Sequence, residues 1–441
     1  MQGGRFLYGF LCQLVYGELT NTISGLKWVR LFSLIGCVIF SIQIFTFLLK
    51  LNLKKIEAGI FSFLILALPS FSVFVFWSAT FEVPIALILS FFSGYLLLKS
   101  FELNHINKAH YAIALILVII SLFLYQSATT VFLLPFVFSF AIKENHSLLK
   151  FKRIIFFIAF AFGLYFILFK LSLLWFQLEP LNRAHIDILK LPVKTILFYA
   201  REMRMLLYGS GILLAPVLAF IIGAISFLGF LFFKYKRRDE INKPILLIFF
   251  LLAVLPLSYS PNLISVDNFI CSRTIAPAAI IILFYQFYFF RELSIKLKAL
   301  KIISILIAFL FVALGFININ TYQVETQNTE YKALKTVFER IDLTVTKKII
   351  FIIPEHDYLQ KLETYKLGYA DEFGEISSSR PWAPEPMLKQ ILIEKANLDH
   401  SDKNLILNLE VEVYKENDMF TRTSDSEVIN IIDIITAEYA K

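Results

Sequence analysis

The sequence predicts an all-helical polytopic membrane bundle of about ten transmembrane helices, followed by a small C-terminal α/β domain outside the membrane. Three observations predict it. Of 441 residues, 58% are hydrophobic and 16% aromatic, with a mean hydropathy of +0.71, more apolar surface than a soluble domain can bury. Apolar runs alternate with short loops rich in Lys and Arg. After Ile317 the composition turns abruptly charged and ordinary. The chain therefore divides into an opening loop and amphipathic helix (1–30), a membrane domain (31–317) and an extracytoplasmic domain (318–441).

The opening Met1-Gln2-Gly3-Gly4-Arg5-Phe6-Leu7-Tyr8-Gly9 lacks the basic region, apolar core and cleavage site of a signal peptide. It reads as a polar turn feeding an amphipathic helix up to Tyr16. Expected spans follow at 31–49, 58–76, 83–98, 111–124, 127–142, 154–174, 206–233, 244–257, 274–290 and 302–317. Lys54, Lys55, Lys152, Arg153, Arg237, Arg238 and Arg291 fall in every second loop, which the positive-inside rule assigns to the cytoplasm. The net charge of +8 is thus topogenic and is no nucleic-acid footprint. Residues 111–140 read as two short helices with a re-entry near Tyr125-Gln126-Ser127. Ten spans leave both termini outside, and an outside amino terminus without an export signal points to a missing preceding span.

The organising stretch is 60–98, two apolar segments broken by Phe76-Trp77-Ser78-Ala79-Thr80-Phe81-Glu82-Val83-Pro84. Its basic residues lie at the far ends, so the tip carrying Glu82 faces outward. A carboxylate between two spans is costly without a task; the alternative is that Glu82 marks where the chain emerges into water. Residues 175–205 form a larger outward loop with Arg201, Glu202 and Arg204. It reads either as a solvated loop or as a cationic collar, because Arg presents a planar fork suited to phosphate oxygens. Arg273, in Cys271-Ser272-Arg273-Thr274, starts the next span, as a ligand or as a snorkelling cation.

Cys12, Cys37 and Cys271 and the six histidines show no framework or ligand spacing, so neither a disulfide scaffold nor a zinc site is supported. No ligand cluster for a divalent cation is visible, and the sequence leaves open whether one participates. In the tail, 330–340 and 384–396 read as helices and 347–354, 405–414 and 428–435 as strands, with no phosphate loop, nucleophile elbow or HExxH.

The segments Gln2-Gly3-Gly4-Arg5-Phe6-Leu7, Phe81-Glu82-Val83-Pro84-Ile85-Ala86-Leu87, Leu124-Tyr125-Gln126-Ser127 and Ser272-Arg273-Thr274 together resemble motifs of polytopic GT-C glycosyltransferases. The likeness is closest to the serotype-converting O-antigen glucosyltransferases of the Gtr type. In the tail, Tyr369-Ala370-Asp371-Glu372-Phe373-Gly374 and 377–382 resemble that family's carboxyl-terminal domain. The family carries a catalytic Asp ahead of the Gly-Arg segment. Here only Met1 precedes Gln2, which again points to a truncated and impaired front.

The resemblance implies transfer of a sugar, glucose first, from a polyprenyl-phosphate donor to a cell-surface polysaccharide such as O-antigen, at the bacterial inner membrane. It implies Glu82 as the catalytic carboxylate, Arg5, Arg201, Arg204 and Arg273 as donor-phosphate ligands, and Tyr125, Gln126 and Glu372 as sugar or acceptor contacts. The expected partners are the lipid-linked donor, the polysaccharide and the bilayer. The rival reading is a transporter or flippase for lipid-linked saccharides, which usually carries polar groups at mid-membrane on broken helices.

Overall fold

The computed structural model describes residues 4–19, 25–102, 107–143, 148–181, 185–207, 216–236, 244–267, 270–296, 300–355, 358, 376–399 and 403–439. They fall into two compact units, Met1–Leu19 with Trp28–Gly315, and Thr20–Lys27 with Phe316–Lys441.

The first unit is helical. It runs through α1 (Phe6–Cys12, prolonged by a π-helical stretch to Leu19), α2 (Leu26–Lys50), α3 (Lys55–Leu66), α4 (Pro69–Phe76), α5 (Val83–Glu102), α6 (Lys108–Leu124) and α7 (Gln126–Thr129). A 3-10 turn leads to α8 (Leu134–Lys143), followed by α9 (Leu148–Phe176), α10 (Leu191–Leu197) and α11 (Met203–Leu207). Then come α12 (Pro216–Lys236), α13 (Pro244–Ser258), α14 (Ser260–Ile264), α15 (Ala276–Lys296) and α16 (Leu300–Ile319).

Among the described residues, six helices are long and apolar enough to cross a membrane: Leu26–Lys50, Ser78–Phe101, Gln126–Lys143, Phe151–Phe176, Ala219–Lys236 and Ala276–Lys296. The pair α3 and α4, bent by 55°, makes a seventh if counted as one span. The bend has a local cause. Pro69 opens α4 without an amide donor, and Leu68 before it is extended at φ −65°, ψ 138°, the conformation a following proline enforces. The expected count of about ten is met only in part. Lys108–Leu124 and Ile245–Ser258 are apolar but shorter; at 1.5 Å per residue they fall below the ~20 residues a bilayer core requires. The expected 206–233 span is not one described helix but α11 and then α12. Large apolar side chains point outward along the long helices, as Ile155, Phe156, Leu171, Leu174 and Trp175 do on α9, the surface a protein turns toward lipid.

Lipid tails are as apolar as leucine, so these helices are held by close packing and buried hydroxyls. Gly94 of α5 lies where a Cβ would fall 2.1 Å from the Phe132 carbonyl oxygen. The Ser121 and Thr129 hydroxyls bond each other at 2.8 Å, Ser121 also reaches the Ala86 carbonyl at 3.0 Å, and Ser90 donates to the Thr129 carbonyl. These bonds stitch α5, α6 and α7 together.

The basic ends gather at one end of the unit. Lys50 donates to the Tyr95 hydroxyl at 3.1 Å, Lys234 reaches the Ala141 carbonyl and the Tyr288 hydroxyl, and Arg291 pairs with Glu57 at 3.0 Å and Glu292 at 3.1 Å. The turns after α4 and α6 lie at the opposite ends of their helices.

The second unit is α/β. Helix α17 (Thr326–Phe338), strand β1 (Lys348–Ile353), helices α18 (Pro384–Asp399) and α19 (Lys403–Leu407), strands β2 (Glu410–Lys415) and β3 (Ser426–Asn430), and α20 (Ile431–Tyr439) follow in order. The sheet is parallel throughout, ordered β2-β1-β3. Central β1 reads Lys-Ile-Ile-Phe-Ile-Ile and buries residues on both faces, as a covered parallel strand must. Leu334, Phe338, Leu388, Ile391, Leu392 and Ile435 close the core around it.

Two expected strands are corrected. Residues 403–407 are helical before β2 begins at Glu410. The 428–435 stretch is strand only to Asn430, because the Asn430 side-chain oxygen accepts the Ile432 amide at 3.0 Å, a cap that turns the chain into α20.

Buried Glu330 accepts the Ser377 and Ser378 amides at 2.9 and 2.7 Å. Glu330→Ala strips both acceptors and destabilises the C-terminal unit by about 1–3 kcal/mol, read as faster native-state hydrogen exchange at Ile349 to Phe351; unchanged exchange would contradict this. Burial pushes the Glu330 carboxyl above its ordinary range, so the folded unit holds the proton more tightly than the unfolded chain. Its pH-linked contribution is therefore complete below the ordinary Glu value of about 4.3 and is lost as pH rises through the folded value. The variant lacks that dependence.

Candidate functional site

Glu82 closes the turn between α4 and α5. Helix α4 stops at Phe76; a 3-10 turn at Ser78–Thr80 follows, fixed by the Thr80 hydroxyl on the Trp77 carbonyl at 2.7 Å. Pro84 then sits in the first turn of α5, where a missing amide costs nothing. The opening segment covers the turn. Tyr8 and Tyr16 donate their hydroxyls to the Ala79 and Ser78 carbonyls at 2.7 and 2.5 Å, and both rings lie against Phe81. Glu82 is consequently buried, and neither carboxylate oxygen accepts a hydrogen bond from another described residue. Among the described residues, Arg5 and Arg273 are cations within electrostatic reach of it. Glu82 is therefore enclosed by protein and is not solvated.

Arg5 is held by the turn after α6. Its guanidinium lies 4.2 Å from the centre of the Tyr125 ring, and its Nε donates to Gln126 Oε1 at 3.1 Å. Gln126 Nε2 donates to the Tyr165 hydroxyl at 2.8 Å, and that hydroxyl donates to the Gly4 carbonyl at 2.9 Å, which closes a ring back to Arg5. The break at Tyr125, extended at φ −153°, ψ 106°, is the re-entry expected at Tyr125-Gln126-Ser127. It turns both side chains toward Arg5. Gly4 is needed here for two reasons: φ is +78°, and a Cβ would fall 2.3 Å from the Tyr165 hydroxyl.

Arg273 comes from a tight turn before α15. Its guanidinium lies 4.7 Å from the centre of the Trp77 ring. The Thr274 hydroxyl accepts the Cys271 amide at 3.1 Å and donates to the Cys271 carbonyl at 3.0 Å, while Ser70 of α4 donates to the Ser272 carbonyl. The Arg273 turn and the Glu82 turn are thus bolted to the same helix, α4.

Glu82, Arg5, Tyr125, Gln126 and Arg273 come together. Arg201 and Arg204 do not join them as directly: both are exposed, on the stretch from the π-helical turn Phe198–Glu202 into α11. Their neighbour Glu202 is buried and lies within electrostatic reach of Tyr259, as Arg201 and Cys271 do. Glu372 and its segment 369–374 lie outside the described residues. Sequence reasoning missed Trp77, Tyr165, Tyr8 and Tyr16, whose roles appear only once distant segments meet. Among the described residues, no group of three His, Cys, Asp or Glu converges as a metal site.

Comparison with known protein families, characterised proteins and solved structures finds no match to this chain. The chemistry must be read from the site alone. Two guanidiniums lie within electrostatic reach of one buried carboxyl group, and each lies over an aromatic ring that restricts its plane without neutralising it.

Gly4→Ala tests the Arg5 cradle. The variant meets both the strained φ and the Tyr165 contact, and it should lose about 1–3 kcal/mol, the usual cost of a residue forced into a sparsely populated conformation. Thermal unfolding of the reconstituted protein measures the loss; an unchanged midpoint would mean that the 4–5 segment is not held as described.

Proposed function

We propose that the chain is a membrane glycosyltransferase of the GT-C type, moving a sugar from a polyprenyl-phosphate donor to a surface polysaccharide. The single observation that carries the reading is a buried carboxylate flanked by two arginines at one end of an apolar bundle. In this reading Glu82 takes the proton from the acceptor hydroxyl. The freed oxygen attacks the anomeric carbon, and the bond to the lipid phosphate breaks. Arg273 and Arg5 stabilise the charge that develops on the leaving phosphate. Tyr125 and Gln126, already tied to Arg5, sit beside the sugar.

The same reading uses ten crossings, the short apolar helices included, with the basic end cytoplasmic and Glu82 outside the inner membrane of a bacterium. The gathering of Lys50, Lys234 and Arg291 at one end supports that orientation, by the positive-inside rule. Glucose as the sugar and O-antigen as the acceptor rest on the resemblance of the Gly4-Arg5, Phe81-Glu82 and Tyr125-Gln126 segments. A second reading, transport of the lipid-linked saccharide, draws on the 55° break between α3 and α4, because transporters build their sites on interrupted helices.

The test is sugar transfer by the reconstituted full chain from a short-chain polyprenyl-phosphate glucose. Glu82→Gln should lower the rate by about 10²–10⁴ while donor binding persists. Arg273→Ala should weaken donor binding by about 1.5–3 kcal/mol, and Arg273→Lys should restore it only in part, since the planar fork is lost. Equal affinity in all three proteins would place the phosphate elsewhere. Absence of transfer alongside movement of the labelled lipid-linked sugar across vesicles would replace this reading with the transporter.

A further inference from the structure

The stretch from Ile188 to Arg204 is inside out for a loop facing water. Its inward face carries Lys194, Phe198 and Glu202, all buried. Its outward face carries Leu189, Val193, Ile196 and Leu197, with Ile196 at 70% exposure. The arrangement is locked. The Lys194 ammonium is caught by the Ser265 and Val266 carbonyls. The Asp187 amide donates to the Ile264 carbonyl at 2.8 Å, and the Val266 amide donates to the His185 carbonyl at 2.9 Å. The helix cannot simply roll its apolar side inward without breaking these bonds.

We infer that this face lies in the bilayer, at the headgroup–acyl boundary of the leaflet on the Glu82 side. The occupant is lipid, and three features of the protein say so. Continuity is the first: α9 ends in outward Leu174 and Trp175, the latter 84% exposed. The end of α9 is at the level of the site, because Phe176 stacks on Phe6, beside Arg5, at 5.6 Å. Polarity is the second. Over Leu191–Leu197 the one charged side chain, Lys194, is buried against protein while Val193, Ile196 and Leu197 face out, which matches an apolar solvent. Charge is the third. Arg201 and Arg204 are exposed at the far end of the stretch, and an arginine at a leaflet boundary can lay its stem on apolar surface while its guanidinium meets headgroup phosphate.

The helical run Leu191–Leu207 is about 25 Å long at 1.5 Å per residue; Leu206 and Leu207 at its end are buried in the bundle, and on this inference the exposed part before them forms a shelf at the leaflet boundary. The shelf is joined to the site. Tyr259, within electrostatic reach of Glu202, also hydrogen-bonds Thr274, next to Arg273. A lipid phosphate held at this level is therefore beside Arg273 without leaving the leaflet. This inference depends on the bilayer position of the chain and not on glycosyl transfer.

The experiment uses the full chain with Cys12→Ser, leaving Cys37 and Cys271, which are buried, in place. Single cysteines introduced at Ile196, Val193 or, as a control on the polar side of the turn, Lys190 carry an environment-sensitive fluorophore. The protein is reconstituted without any partner in vesicles of phosphatidylcholine and phosphatidylglycerol. Expected is strong quenching of the Ile196 and Val193 labels by a spin-labelled lipid and weak quenching by aqueous iodide, with the reverse at Lys190. Equal iodide quenching at Ile196 and Lys190 would overturn the inference, because the face would then be in water and free for a protein partner. The second apolar position guards against a local effect of one label. Loss of sugar transfer with the lipid quenching intact would remove the proposed activity and leave the shelf standing.

Discussion

A buried carboxylate at one end of a membrane bundle is the constraint on which the first unit depends. Removing an ionised carboxylate from water costs several kcal/mol even after relaxation, and Glu82 has no hydrogen-bond donor from another described residue to offset it. What faces it instead are two guanidiniums from distant parts of the chain, Arg5 near the start and Arg273 before α15. Each is fixed by its own set of contacts: Arg5 by Tyr125, Gln126 and Tyr165, Arg273 by Trp77 and the turn anchored on Ser70. The folding of the opening segment over the α4–α5 turn, the re-entry at Tyr125 and the placement of α15 are thus conditions of one another.

Such a site suits a reaction in which a proton is lost on one side and negative charge develops on the other. A carboxylate alone would be a base; two guanidiniums alone would be an anion trap. In the reading proposed above, the two together, with aromatic faces restricting both cations, would form a pre-set field that need not reorganise when a phosphate leaves. The neighbouring shelf, from Ile188 to Arg204, would put the lipid surface at the level where such a phosphate travels.

Much of this was legible in the sequence because membrane insertion writes its rules locally. Basic residues in alternate loops marked which ends belong together, and the same pattern singled out the turn that carries Glu82. Tyr125-Gln126 was legible as a break between apolar runs. Other features were not. A 3.6-residue pattern cannot reveal that Trp77 stacks under Arg273 or that Tyr165 closes the ring on Gly4, since those contacts join segments far apart. The loop at 175–205 read as solvated or as a cationic collar, because nothing local distinguishes which way its side chains turn; Lys194 and Glu202 in fact point inward, and Leu189 and Ile196 face out. In the tail, the apolar run at 428–435 read as one strand because nothing local distinguishes Ile429 from Ile435; the cap by Asn430 decides it.

The most direct test of the account is whether Arg273 and Glu82 are energetically coupled in the folded protein. Arg273→Met and Glu82→Gln are made singly and together, and unfolding free energies are compared in the same bilayer mimic. The account predicts that Arg273→Met is costly in the native background, where it leaves a buried carboxylate exposed to less compensating charge. Its effect should be much smaller once Glu82 is neutral, with a coupling of about 0.5–3 kcal/mol. Effects that add to within about 0.3–0.5 kcal/mol, as independent sites do, would contradict it.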